Sequence, residues 1–302
     1  MLYIYFLNSN LLITHYYIYE AEKEKKMNEA KFMISTDYPV VAVISHKPYR
    51  VPVGSIYLPL HVGAALHPEV LKDWVQDNTG ENISEKNPEY SELTGLYWLW
   101  KNVNAPYKGI VHYRRLFSTK NILRRLLLRD RYSTVAQDQE IIKSLQKKDI
   151  ILPKKRNYII ETIFSHYAHT IYEGDVQLYE TRKVIQDLSP EYIPAFDEVM
   201  SSRKAHMFNM MIMSQSKIDD YCSWLFPVIS ELEIRINSKE YDSFNKRYPG
   251  RISEMLFDVW LYTKQYDYVE FPVQNMEKIN WYFKITSFLK AKLSNKKYNK
   301  SF

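Results

Sequence analysis

One cysteine, Cys222, stands alone in the chain. That excludes internal disulfides and cysteine-rich zinc modules, and a reducing cytoplasm is the natural setting. Glycine is scarce, at 7 of 302 residues. No P-loop, G-x-G-x-x-G fingerprint, G-x-S-x-G elbow or H-E-x-x-H is present, which removes the commonest nucleotide-binding and hydrolase patterns. No Pro/Ser linker divides the body, and no internal repeat occurs. A long apolar run is missing too. Residues 1–26 come nearest, but Asn8, Asn10 and His15 interrupt them. They lack a positive n-region and a small-residue cleavage site, and are too short and polar for a membrane span. They read as a loose leader or an over-extended start. Acids are absent from 278–302, which carries seven lysines, whereas the whole chain is only +6. The body is therefore close to neutral, which argues against a nucleic-acid binder. The tail is either simply solvated or rests on an anionic membrane. The expected layout is a leader over 1–36, one domain over 37–275 and a basic tail over 276–302.

Aromatic residues make up 15% of the chain, with 26 tyrosines. Such surfaces hold sugars or bases, although biased coding explains them equally well. Val40 to Ser45 is a continuous apolar run that reads as a buried strand. It ends in His46-Lys47-Pro48-Tyr49. Asn87 and Pro88 suit the cap and first turn of a helix whose Leu93, Leu96, Tyr97 and Trp100 share one face. Gly109 to Tyr113 is the next strand, inside YKGIVHYRRLF (Tyr107–Phe117). Its apolar run turns abruptly into His112, Tyr113, Arg114 and Arg115. In open α/β sheets ligands bind beyond the carboxyl ends of the strands. Two guanidiniums there suit a phosphate-bearing ligand.

Further along, 118–133 mixes five cationic residues with Ile122, Leu123, Leu126, Leu127 and Leu128. It reads as a surface helix that touches a membrane or lipid-linked acceptor, or as a solvated insertion. Helices are expected over 137–148, 176–187, 191–202, 215–236 and 251–263. Strands are expected over 149–153, 207–213 and 267–272. The helix–strand order predicts an α/β fold with a parallel sheet. His166 and His169 are ligand-spaced if helical, but nothing in the sequence completes a metal site, so an acceptor-binding or supporting role is favoured. Glu92 lies beside an apolar helix face and is a site candidate. Glu254, at an expected helix start, is a candidate general base, with Asp258 as runner-up.

Five ordered blocks, NISEKNPEYSELTGLYWLWKN, YKGIVHYRRLF, DIILPKKRNYIIETIFSHYAHT, AHMFNMMIMSQSKIDDYCSWLF and GRISEMLFDVWL, resemble a bacterial family of capsule, exopolysaccharide and O-antigen loci. That family was long catalogued as a domain of unknown function and is regarded as glycosyltransferases. It is similar to the galactofuranosyltransferase domain of a bifunctional O-antigen polymerase. The resemblance covers about Val40 to Pro272. It implies a GT-A-like nucleotide-sugar-binding fold with a mostly parallel central sheet. It also implies transfer of a hexose, best guessed as galactofuranose, from a UDP-sugar donor to a lipid-linked glycan acceptor. The implied setting is cytoplasmic, peripheral to the inner face of the membrane. The Asp-x-Asp that holds a divalent metal in many such enzymes is absent. Its place is taken by His112, Tyr113, Arg114 and Arg115, so no metal ligands are assigned and a divalent metal stays an open alternative. By the same resemblance His46, Lys47, Asn82, Ser84, Lys86, Asn87, Glu92 and Asn209 fall on the donor side. His166, His169 and His206 fall on the acceptor side, and Glu254 is the base of an inverting reaction. Two other readings remain: a non-catalytic glycan- or nucleotide-binding subunit, and a hydrolase with metal on His166 and His169.

Overall fold

The computed structural model describes residues 34–277. The sequence expectations for 1–33 and for the lysine-rich 278–302 lie outside the described residues. Apolar strands form the centre: β1 (Val40–Ser45), β2 (Tyr57–His61), β3 (Val75–Gln76), β4 (Tyr107–His112), β5 (Arg115–Phe117), β6 (Ile150–Pro153), β7 (Met211–Ser214), β8 (Val269–Phe271) and β9 (Val273–Asn275). The sheet order is β8-β6-β7-β4-β1-β2-β3, with β5 joining β4 to β9 off that path. β4, β1, β2 and β3 are mutually parallel, and β6 is parallel to β8. Only β7 on the path runs antiparallel to its neighbours. The fold is thus α/β with a largely parallel central sheet.

Side chains alternate between the two faces along each strand. Val40, Ala42 and Ile44 enter one core, and Val41 and Val43 the other. The larger core is covered by α2 (Leu93–Asn102), α6 (Gly174–Leu188), α7 (Ile193–Ser201), α8 (Gln215–Arg235) and α9 (Tyr248–Lys264). The smaller is closed partly by α4 (Asp138–Leu145). α1 (Asn87–Tyr90), α3 (Ile122–Leu127) and α5 (Ile163–Thr170) are short.

The structure corrects three local expectations. The helix starting near Pro88 is broken, because Ser91 takes a φ of 53°. Asn87 therefore caps nothing at its own end. Its amide bridges the break, donating to the Ser91 carbonyl and Thr94 Oγ1. The expected strand over 207–213 begins only at Met211. Phe208 and Asn209 before it have φ of 86° and 45°, a region costly for residues with a Cβ. Finally, α9 starts at Tyr248 with Pro249 in its first turn, so Glu254 sits nearly two turns inside it.

Two residues of β4 fix how closely its neighbours pack. A Cβ on Gly109 would lie 2.1 Å from the Met211 carbonyl oxygen, so only glycine lets β7 approach. Lys108 is fully buried, and its ammonium donates to the carbonyls of Leu99, Trp100 and Val103, at the end of α2. Those carbonyls have no helical partner, and a buried amine satisfies them. Burial lowers the Lys108 pKa to about 8. Lys108→Met keeps the shape and removes the donors. It is expected to cost about 2–3 kcal/mol, read as a lower denaturant midpoint at unchanged slope.

Candidate functional site

Because β1 and β4 are parallel, their carboxyl ends share one rim. β7 runs the other way, so the loop before it, 206–210, arrives at that same rim. β6 ends there too, and its continuation brings Arg156. Between these ends and the first turns of α1 and α9 lies a cavity of about 900 Å³. Five guanidiniums line it, from Arg114, Arg115, Arg156, Arg247 and Arg251, against two carboxylates, Glu92 and Glu254. His46 and His112 complete the ionisable wall.

Burial, reinforced by Lys47, Arg247 and Arg114, lowers the pKa of His46. Burial lowers that of His112 as well, and the Glu92 charge only partly opposes it. Both rings are therefore neutral near pH 7. Nε2 of His112 lies 2.5 Å from the Phe208 carbonyl and, in a neutral ring, donates to it. His112, in the place of the absent Asp-x-Asp, therefore adds no charge to the wall at that pH. The surplus positive charge comes from the arginines alone. Arg115 stacks its guanidinium 4.5 Å from the Phe208 ring centroid. Arg247 donates through Nε to Ser91 Oγ, and Arg251 donates through Nη2 to the Phe244 carbonyl. Nη1 of Arg251 is buried without a partner.

Glu254 has its pKa raised to about 7, first by burial and then by the Glu92 charge; the Phe208 backbone N–H and the Arg115 and Arg156 charges oppose the rise. Glu92 is held by Asn209, whose amide reaches Glu92 Oε1 at 2.7 Å, the Gly250 carbonyl at 2.9 Å and Ser253 Oγ at 2.9 Å. Asn209 is buried behind the wall and pins α2, α9 and the 206–210 loop together. It positions rather than lines the site.

Of the other sequence candidates, Asn87 and Tyr113 line the cavity. Tyr113 packs edge-on to His46 and Tyr49, with Lys47 Nζ 5.0 Å from its ring centroid. Lys47 itself is outside the lining and pairs with Glu277 at 3.8 Å. Three donor-side assignments are displaced. Ser84 is buried and donates to Asp77, which holds the Gly63 and Ala64 amides. Asn82 turns back on Gly80 and Ser84, and Lys86 pairs with Glu233 at 2.6 Å. These residues shape the loop beneath the site. Asp258 and His206 are also corrected. Both are buried, joined through Asp258 Oδ1 and His206 Nδ1 at 2.5 Å, with His206 Nε2 on Glu270 at 3.1 Å. They clamp the loop to α9 and β8 and do not face the cavity.

His166 and His169 lie on α5, outside the lining. With Glu161 they offer three ligand atoms within 4.8 Å of one another. His166 Nδ1 lies 2.8 Å from Glu161 Oε2. Among the described residues, this is the group suited to hold a metal ion. Burial lowers the His166 pKa, the hydrogen bond to Glu161 opposes the shift, and the Arg156 charge adds to it.

Sequence reasoning missed Arg247 and Arg251 as site residues, although their spacing from each other and from Glu254 repeats one helical face. It also missed Arg156 and Phe208.

Fold and cavity define a class: an α/β protein with an arginine-walled cavity beyond its strand ends and a carboxyl group poised near neutrality. The chain belongs to the family described as domain of unknown function DUF4422, whose model matches residues 40–265. It is similar to the apo structure of the WbbM bifunctional glycosyltransferase, at 27% identity and a TM-score of 0.71. The match covers 80% of this chain and 46% of that one, so the chain spans a little under half of that protein. No curated protein matches the chain. The family is thus glycosyltransferase-related, in keeping with the resemblance carried by the five sequence blocks.

Proposed function

We propose that the protein is a glycosyltransferase. It transfers a sugar, best guessed as a hexose such as galactofuranose, from a UDP-sugar to a lipid-linked capsule, exopolysaccharide or O-antigen acceptor. The observation that carries this reading is the meeting, in one cavity, of five guanidiniums and a carboxyl group with a pKa of about 7. A nucleoside diphosphate leaving group gains negative charge as its bond to the sugar breaks. Preorganised guanidiniums stabilise that charge without rearrangement. Glu254, once deprotonated, takes the proton of the acceptor hydroxyl. The acceptor oxygen bonds to the anomeric carbon, and the carbon–phosphate oxygen bond breaks with its electrons leaving on the diphosphate. This single displacement inverts the anomeric centre. His46 and Tyr113, at the end of β1 and the start of the β4–β5 turn respectively, offer aromatic edges for the nucleoside. Likeness to a region of a bifunctional glycosyltransferase supports the reaction class.

Guanidiniums in place of a metal give a direct test. The purified protein, incubated with a panel of UDP-sugars, is expected to bind or hydrolyse one of them equally well with and without a chelator. Failure to bind any UDP-sugar would sink the reading. Activity lost in chelator and restored by a divalent ion would move the charge stabilisation to a metal, with Glu161, His166 and His169 as the place to look.

A further inference from the structure

Among the described residues, arginine ion pairs form at Arg50, Arg182 and Arg235, and at none of the five guanidiniums of the cavity wall. One of those five stands apart from the rest. β1, β4, β7 and β6 are successive neighbours in the sheet. At about 4.8 Å per strand, the end of β6 lies about 14 Å along the rim from the end of β1. His46 marks the β1 end, and Arg114 and Arg115 follow β4. Arg156 follows β6, at the far end from the groups offered to the nucleoside. It is also beside the proposed base, since the charges of Arg115 and Arg156 both act on the Glu254 carboxyl. The rim therefore runs from nucleoside to diphosphate to the place where an acceptor meets Glu254, and Arg156 belongs to the last.

Arg156 is an exposed residue, yet its position is set. Its backbone pairs antiparallel with Ala205, and the Tyr158 amide donates to the Arg203 carbonyl at 2.9 Å. Its guanidinium carbon lies 4.8 Å from the Tyr158 ring centroid. That ring packs with its centroid 4.4 Å from that of His166, and His166 Nδ1 lies 2.8 Å from Glu161 Oε2. Stacking on an aromatic face fixes the plane of the fork while leaving its N–H edges to a ligand. The neighbouring Lys155 is engaged elsewhere, donating to the Tyr262 hydroxyl at 2.7 Å. We propose that Arg156, on its stack of Tyr158 and His166, holds an anionic group of the acceptor, a sugar carboxylate or a phosphate, while a nearby hydroxyl of that acceptor meets Glu254. This rests on the reading of the cavity as a transferase site. A planar fork matches a carboxylate or phosphate through two parallel N–H bonds. A neutral acceptor would cover the guanidinium and strip its water without supplying a partner, which is unfavourable.

The test titrates the full chain, with and without saturating UDP, and reads binding by ligand-observed NMR. Methyl glucuronide is compared with methyl glucoside, which differs only in carrying a hydroxymethyl group in place of the carboxylate. Geranyl diphosphate is compared with geraniol. The wild type is expected to bind an anionic probe at least about tenfold more tightly than its neutral counterpart. Arg156→Met is expected to erase that preference, and Arg156→Lys to keep part of it, since lysine retains the charge without the fork. A preference for the glucuronide assigns the anion to the acceptor sugar, and one for geranyl diphosphate alone assigns it to a lipid carrier. Equal wild-type affinity for charged and neutral probes overturns the proposal, as does a preference that survives Arg156→Met. It is overturned too if Arg156→Met costs UDP as much affinity as it costs the anionic probe, because Arg156 would then belong to the donor grip. UDP affinity, measured on the same samples, tests the transferase reading by itself, so the two can fail separately.

Discussion

Glu254→Gln is expected to lower the rate of sugar transfer by roughly 10²–10⁴-fold, with UDP-sugar affinity held within about twofold. The amide keeps size and polarity but cannot accept the acceptor's proton. In the wild type the rate should rise with pH through about 7, where the carboxyl group ionises, and that limb should vanish in the variant. Stability should move the other way. The folded pKa of about 7 lies above the ordinary 4.5, so between those values the folded state retains a proton that the unfolded chain releases. Stability from this group therefore falls as pH rises from about 4.5 to 7, then levels. Glu254→Gln removes that loss. It should melt higher than wild type at pH 8 and equally at pH 4. Unchanged turnover in Glu254→Gln would refute the base assignment. A non-catalytic binding subunit would show the stability change without any turnover to lose.

Arg251→Met is expected to weaken UDP and UDP-sugar binding by about 10–150-fold, the worth of one charge-assisted hydrogen bond. Its buried Nη1 has no partner in the protein, and burial lowers its pKa. An unsatisfied, desolvated donor at a cavity wall is a cost to the empty protein and a gain once an anionic oxygen arrives. Methionine keeps the apolar stem and removes the cost. Methionine also forfeits the Nη2 bond to the Phe244 carbonyl, so the two effects offset and the variant should melt close to wild type while binding worse. Calorimetric titration with UDP reads the affinity. Unchanged affinity would place the diphosphate elsewhere on the arginine wall.

The strand ending in His112, Tyr113, Arg114 and Arg115 was readable because an apolar run stops abruptly at a cationic cluster, and Glu254 because an acid stood beside an apolar helix. The direction of β7 was not readable, since Met211, Ile212 and Met213 alternate identically in a parallel or antiparallel strand. The helix break at Ser91 and the left-handed Phe208 escaped for a related reason. Neither residue type marks such a conformation, and tertiary contacts impose it: Arg247 on Ser91, and Arg115, His112 and Glu254 around Phe208. Asn82, Ser84 and Lys86 looked like a donor loop because they precede a helix start. Asp77 and Glu233 claim two of them, which only the folded chain reveals.

Phe208 stands between the two walls of the cavity. The Phe208 carbonyl accepts from His112 on the central strand, while the backbone of the same residue, acting on the Glu254 carboxyl of α9, opposes the rise in its pKa. The two walls of the cavity are thus geared through a single residue. A displacement of residue 208 would therefore reach the His112 imidazole on one side and the Glu254 carboxyl on the other.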